Sequence, residues 1–377
     1  MRISIFENIM TPGGHEVDFD RILVEEMQNR GHAVNFYVPE NFIFQFDYKV
    51  PVQHLNGNAV TYTNSRGIKK IFAAAKREIN RQRWYQQLYD RQSEFDALII
   101  PTSTYRYLRA LNRSNLRKIK VPIIFILHGI NPTEVDKFFN EANKLLPYQN
   151  IKLVVLTFND NIFGRKLDNV FPIYPPTYTP RDISNSECVM RNAELTIGFF
   201  GQYRREKKLE DLLNVFIKGD YEREIKLIVQ GSTMHVEDSE DFERIISKYK
   251  NQKNISFLHK GLIGADWQRA IAGIDALLMP YSAPRYKYHW GGMLFTAIGF
   301  QKPVIASDDM NPEVFEMFKI GETFKSGNLD ELGNVLEKFI NDFDENVEKY
   351  SQGLKLASKT FSPTNFIINI DKIIGTC

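Results

Sequence analysis

The sequence predicts an α/β protein made of two Rossmann-like domains facing a cleft, and three observations carry that prediction. The chain has 377 residues, more than one hydrophobic core ordinarily serves, so a division into two domains is expected. Its apolar runs, among them "DALIIPTS" (96–103), "VPIIFILHG" (121–129) and "IKLVVLT" (151–157), are continuous rather than alternating. Parallel strands buried on both faces have that character. Polar segments of helical period separate the runs, which is the rhythm of a doubly wound sheet.

Taken in order, "RISIFEN" reads as a first strand, broken by "MTPGGH" (10–15). "EVDFDRILVEEMQNRG" then places Phe19, Leu23 and Met27 on one helical face, with Gly31 as its stop. "HAVNFYVP" (32–39) is the second strand. "NVFPIYPPTYTPRDISNSECVM" (169–190) holds four prolines and no helical period, and reads as a linker. The rhythm restarts with "ELTIGFFG" (194–201), "IKLIVQGS" (225–232), "ISFLHKG" (255–261), "ALLMPY" (276–281) and "KPVIAS" (302–307). The expected boundaries are 1–175, 190–360 and a terminal helix in 361–377, amphipathic after Pro363, that crosses back to the first domain.

Composition narrows the function classes. Hydrophobic residues make up 43% and charged residues 25%, within the globular range. Residues 1–180 carry 23 Lys and Arg against 17 Asp and Glu, and the remainder 25 against 29. A basic first half points to an anionic partner. The only cysteines are Cys188 and Cys377, so neither a disulfide framework nor a metal-ligand spacing is present, and a reducing cytoplasm fits. The opening residues lack signal-peptide architecture, and the apolar runs are too short to span a bilayer. Contact with a membrane is therefore expected to be peripheral, at the inner face. "RGIKKIFAAAKREINRQRWYQQLYDR" (66–91) has eight basic and two acidic residues, with Ile68, Ile71, Phe72, Trp84, Tyr85 and Leu88 interleaved; "RYLRALNRSNLRKIK" (106–120) adds six more. Such a surface suits anionic lipid headgroups or a lipid-diphosphate acceptor, and a solvated helix face is the plainer alternative. Nucleic acid is not expected, because no recognised nucleic-acid motif is present.

"IGFFGQYRREKKLEDLLNVF" (197–216) orders a strand, a glycine loop, a basic cluster and a helix. Arg204, Arg205, Lys207 and Lys208 fall at the carboxyl side of a strand, where open α/β sheets bind ligands, and would neutralise a diphosphate. This block resembles the GT-B glycosyltransferases of the large family-4-like group. Its glycine, its Lys six residues on and its "LL" helix match Gly201, Lys207 and Leu212-Leu213. Gln202 stands at the usual Arg position, leaving Arg204 or Arg205 to supply the guanidinium.

"GADWQRAIAGIDALLMPYSAPRYKYHWGGMLFTAIGFQKPVIAS" (264–307) resembles the next family block. Aligned from Lys302-Pro303-Val304, the family's paired Glu residues fall on Tyr288 and Thr296, so both carboxylates are absent. The resemblance implies that the second Glu would accept from a ribose diol, and Thr296 offers no such bidentate acceptor. Either the donor carries 2′-deoxyribose, as a dTDP-sugar does, or the "WGGM" amides grip the diphosphate. Gly291-Gly292 would then provide space and N–H donors at a helix start.

The resemblance implies a metal-independent hexosyltransferase. It would move a sugar from a dTDP- or UDP-sugar to a glycan or lipid-linked saccharide in bacterial surface polysaccharide synthesis. The nucleotide-sugar would be a substrate, with no cofactor. Gly13, Gly14, Gly201, Gln202, Arg204, Arg205, Lys207, Gly231, Tyr281, Tyr288, His289, Gly291, Gly292, Met293 and Thr296 are the donor-side candidates. His128, at the end of a buried strand, together with His15, Glu16 and Asp18, are the catalytic ones; an inverting reaction would need one of them as base. Glu16 and Asp18 are equally ordinary first-turn charges favoured by the helix dipole. A sugar-nucleotide epimerase of the same fold and a catalytically silent binding subunit are the alternatives.

Overall fold

The computed structural model describes residues 1–9, 15–59, 68–158, 163–181 and 194–375. Gly13 and Gly14 lie outside the described residues, as do the side chains of His15, Glu16, Ile68, Lys69, Lys70 and Pro284 and residues 182–190 of the 169–190 stretch read as linker. The chain forms two units. The first is built from Met1–Thr11, Glu16–Pro175 and Pro363–Cys377, and the second on Pro176–Ser362.

In the first unit the strands are β1 (Arg2–Phe6), β2 (Ala33–Pro39), β3 (Val52–Leu55), β4 (Ala97–Ile100), β5 (Ile123–Leu127), β6 (Ile151–Leu156) and β7 (Val170–Ile173). They lie in the order β3-β2-β1-β4-β5-β6-β7, and every pairing is parallel. β5 and β6 are buried along their whole lengths, as their unbroken apolar runs require.

Strand β7 corrects the linker reading. Val170–Ile173 pairs with β6, Val155 opposite Pro172. Proline cannot donate to a ladder, which confines it to an edge strand, and β7 is that edge. The proline count concealed the strand.

The terminal helix Pro363–Ile374 belongs to the first unit. Phe366, Ile367 and Ile370 are buried. Phe366 packs 5.6 Å from Phe19, the Thr364 hydroxyl donates to Glu26 at 2.9 Å, and Asp371 pairs with Arg30. The crossing expected from the sequence is present.

The second unit has β8 (Leu195–Phe199), β9 (Ile225–Gly231), β10 (Ile255–His259), β11 (Ala276–Met279), β12 (Val304–Ser307) and β13 (Gly321–Phe324), ordered β10-β9-β8-β11-β12-β13. All are parallel. The winding reverses between β8 and β11, so the loops leaving these two neighbours diverge and open a crevice at their carboxyl ends. Helix Gly292–Gly299 packs close beneath: a Cβ on Gly299 would lie 1.9 Å from the Tyr178 carbonyl oxygen. Only glycine permits that approach.

Candidate functional site

Two loops leave the switch point of the second sheet. The one after β8 turns at Gly201, whose φ of +103° places it where L side chains are strained. A Cβ there would also lie 3.3 Å from Met293 Sδ and 3.6 Å from Lys207 Nζ. Gly201 therefore keeps open the space into which Lys207 and the start of helix Gly292–Gly299 both point. Its amide donates to Gln230 Oε1 at 3.0 Å, and the loop is tied to β9 through Tyr203 N–H to the Ser232 carbonyl at 2.7 Å.

Lys207 is the central cation. Its side chain is buried, with Nζ donating to the Tyr281 hydroxyl at 3.1 Å and lying 4.4 Å from that ring's centre. Burial, then the nearby Arg204 and Arg285 cations, bring its pKa down to about 7, with Glu206 opposing. Tyr281 follows β11, and its own pKa is raised by burial. The pair thus joins the two strands that flank the switch.

The remaining cations divide. Arg204 donates to Gln202 Oε1 at 3.0 Å and stays beside Lys207. Arg205 reaches outward to Glu237 at 3.2 Å and Asp238 at 3.5 Å, with most of its side chain in solvent. Of the two arginines nominated from sequence, only Arg204 is placed for the site.

The glycine pair has a different use from the one expected. The Gly291 amide donates to Asn311 Oδ1 at 3.0 Å, and the Gly292 amide to the Trp290 carbonyl at 3.1 Å. Asn311 is buried and also donates from Nδ2 to the His289 carbonyl at 3.0 Å. A Cβ on Gly291 would lie 2.8 Å from that amide oxygen. Gly291 is glycine so that Asn311 can staple the loop to the helix start. The first-turn donors left for an anion are the Met293 and Leu294 amides.

Other nominated residues take quieter places. Thr296 is buried and its hydroxyl donates to the Gly292 carbonyl at 2.8 Å, closing on its own helix. Gly231 lacks a side chain because a Cβ would meet the Phe242 ring at 2.9 Å. Tyr288 is exposed, and the His289 amide donates to the Arg285 carbonyl at 3.0 Å. In the first unit, His128 Nε2 donates to the Pro101 carbonyl at 2.9 Å, and its ring meets Phe19 edge-on at 4.7 Å. Asp18 pairs with Arg21 at 3.2 Å, the behaviour of a first-turn charge.

Sequence reasoning missed Glu206, Arg285 and Tyr286. Arg285 pairs with Glu206, and the Tyr286 hydroxyl donates to the same carboxylate at 3.2 Å. Among the described residues, no group of three or more His, Cys, Asp or Glu is placed to hold a metal ion.

Buried cation, glycine turn and helix start at a sheet's switch point form an anion-binding arrangement. Anabaena Alr3699/HepE in complex with UDP and glucose is similar in structure at a TM-score of 0.71 and 16% identity, over 100% of both chains. Sucrose-phosphate synthase from Thermosynechococcus elongatus is similar at 0.70 and 13%, over 99% of this chain and 98% of its own. WaaG, a glycosyltransferase involved in lipopolysaccharide biosynthesis, is similar at 0.65 and 13%, over 99% of both. No curated protein sequence matches. Residues 187–354 match the family described as glycosyl transferases group 1. The chain therefore has the GT-B fold, and its second unit is similar to the glycosyl transferases group 1 family over residues 187–354.

Proposed function

We propose that this protein transfers a sugar from a nucleoside-diphosphate donor to a glycan or lipid-linked saccharide acceptor in bacterial surface polysaccharide synthesis. The observation that carries the proposal is the buried Lys207 beside Gly201 and Met293. A cation held out of water there stabilises charge that develops on a leaving diphosphate, without a metal ion. Arg204 adds a second cation. The UDP bound by HepE supports a nucleotide donor. We keep His128, His15, Glu16 and Asp18 as proposed acceptor or sugar contacts.

The missing carboxylate at Thr296 supports a donor with little need of a ribose-diol acceptor, so dTDP is expected to compete at least as well as UDP. Membrane contact is part of the same proposal. Helix Ile68–Asp90 exposes Ile71, Phe72 and Ile79 at 70%, 71% and 60%, with Lys76 and Arg83 exposed on the face that carries Phe72 and Ile79. Apolar residues flanked by cations suit an anionic bilayer surface that would carry a lipid-linked acceptor. Among the described residues, no helix is long and apolar enough to cross a membrane.

Incubation with UDP-, GDP- and dTDP-sugars tests the activity. Slow release of free sugar and nucleoside diphosphate, accelerated by a saccharide acceptor, is expected. Conversion to an isomeric sugar nucleotide would indicate an epimerase instead, and binding without turnover a silent subunit.

A further inference from the structure

Glu206 is an acidic residue set among the cations of the site. It pairs with Arg285 and lies 3.8 Å from Arg204, and it accepts from Tyr286. Its backbone carbonyl accepts from the Ser282 amide at 3.3 Å. The loop after β8 is thereby clasped to the loop after β11. Arg204, Arg285 and Lys207 crowd one small region, and among the described residues Glu206 is the carboxylate that pairs with the two arginines. Lys207 is buried and the two arginines are partly exposed, and like charges this close raise one another's cost unless an anion joins them. Arg285 is also under-used: its Nε is buried and has no hydrogen-bond partner among the described residues.

We infer that Arg285 is a phosphate-binding residue of the donor site and that Glu206 restrains it, holding the guanidinium until a phosphate oxygen takes its place. The inference rests on the reading that the second unit binds a nucleoside diphosphate. A guanidinium fork suits either oxyanion, so carboxylate and phosphate compete for the same donors. Donor affinity is then set by the difference between the two pairings, and Glu206 is a positioning residue acting through Arg285.

Calorimetric titration with UDP, dTDP and inorganic pyrophosphate tests this on wild type, Arg285→Gln, Glu206→Gln, the double variant and Lys207→Met. Arg285→Gln is expected to weaken binding roughly tenfold and Glu206→Gln to tighten it about threefold. In the Arg285→Gln background, the Glu206 substitution should change nothing, because its effect passes through the guanidinium. The direction matters: a carboxylate that only clasped two loops would weaken binding when neutralised. Should Glu206→Gln fail to fold, Glu206→Asp shortens the reach to Arg285 and is expected to tighten binding in the same sense. Wild-type affinity in Arg285→Gln, or weaker binding in Glu206→Gln, overturns the inference. If Lys207→Met alone loses binding, the donor site stands and this restraint falls. If wild type binds none of the three ligands, both fall together.

Discussion

At the scale of single residues, Lys207 makes the sharpest statement. An ammonium whose pKa is brought down to about 7 by burial and neighbouring cations is charged below that pH and increasingly neutral above it. A bound diphosphate restores the charge, so binding above about pH 7 must take up a proton. Affinity for UDP or dTDP should therefore fall as pH rises, by at most about tenfold per pH unit. Calorimetry in buffers of different ionisation enthalpy reads the uptake directly. Constant affinity between about pH 6 and 9, with no proton exchanged, would remove Lys207 from the phosphate contacts. Lys207 and Gly201 were legible because strand, glycine and cation are neighbours in sequence. Arg285 and Glu206 were not, because their pairing joins residues far apart in the chain. Gly291 misled for a related reason: the atom that forbids its side chain belongs to Asn311, another loop away.

At the scale of elements, helix Ile68–Asp90 divides what composition had pooled. Trp84, Tyr85 and Leu88 are fully buried in the first unit's core, while Phe72 and Ile79 lie on the opposite side and, with Ile71 in the first turns, are exposed. Sequence marked the stretch as basic and aromatic, but only packing decides which apolar residues remain for a partner. The membrane contact should need phosphatidylglycerol in phosphatidylcholine vesicles and weaken with salt. Full burial of a large apolar side chain is worth about 1.5–3 kcal/mol. Phe72→Asp with Ile79→Asp should thus lower vesicle binding at least about tenfold while UDP affinity stays unchanged. Equal flotation of wild type and variant would leave this face as solvated helix. Strand β7 teaches the reverse lesson: Pro172 hid an element that an edge position tolerates.

Across the whole molecule, the two parallel sheets and the returning terminal helix were readable from continuous apolar runs and the late amphipathic segment. The pattern of buried positions, rather than residue identity, specifies this architecture, which is why structures only 13–16% identical match it along nearly the full chain. The resemblance over 197–216 and 264–307 supplied the chemistry that periodicity could not, and its two absent carboxylates left the donor nucleoside open. The central claim is that the second unit binds a nucleoside diphosphate at Lys207. Isothermal titration of UDP and dTDP against wild type, Lys207→Met and Arg205→Ala tests it most directly. Lys207→Met should lose about 1.5–3 kcal/mol of binding, whereas Arg205→Ala, whose partners are Glu237 and Asp238, should bind as wild type does. Equal affinity in wild type and Lys207→Met would contradict the account.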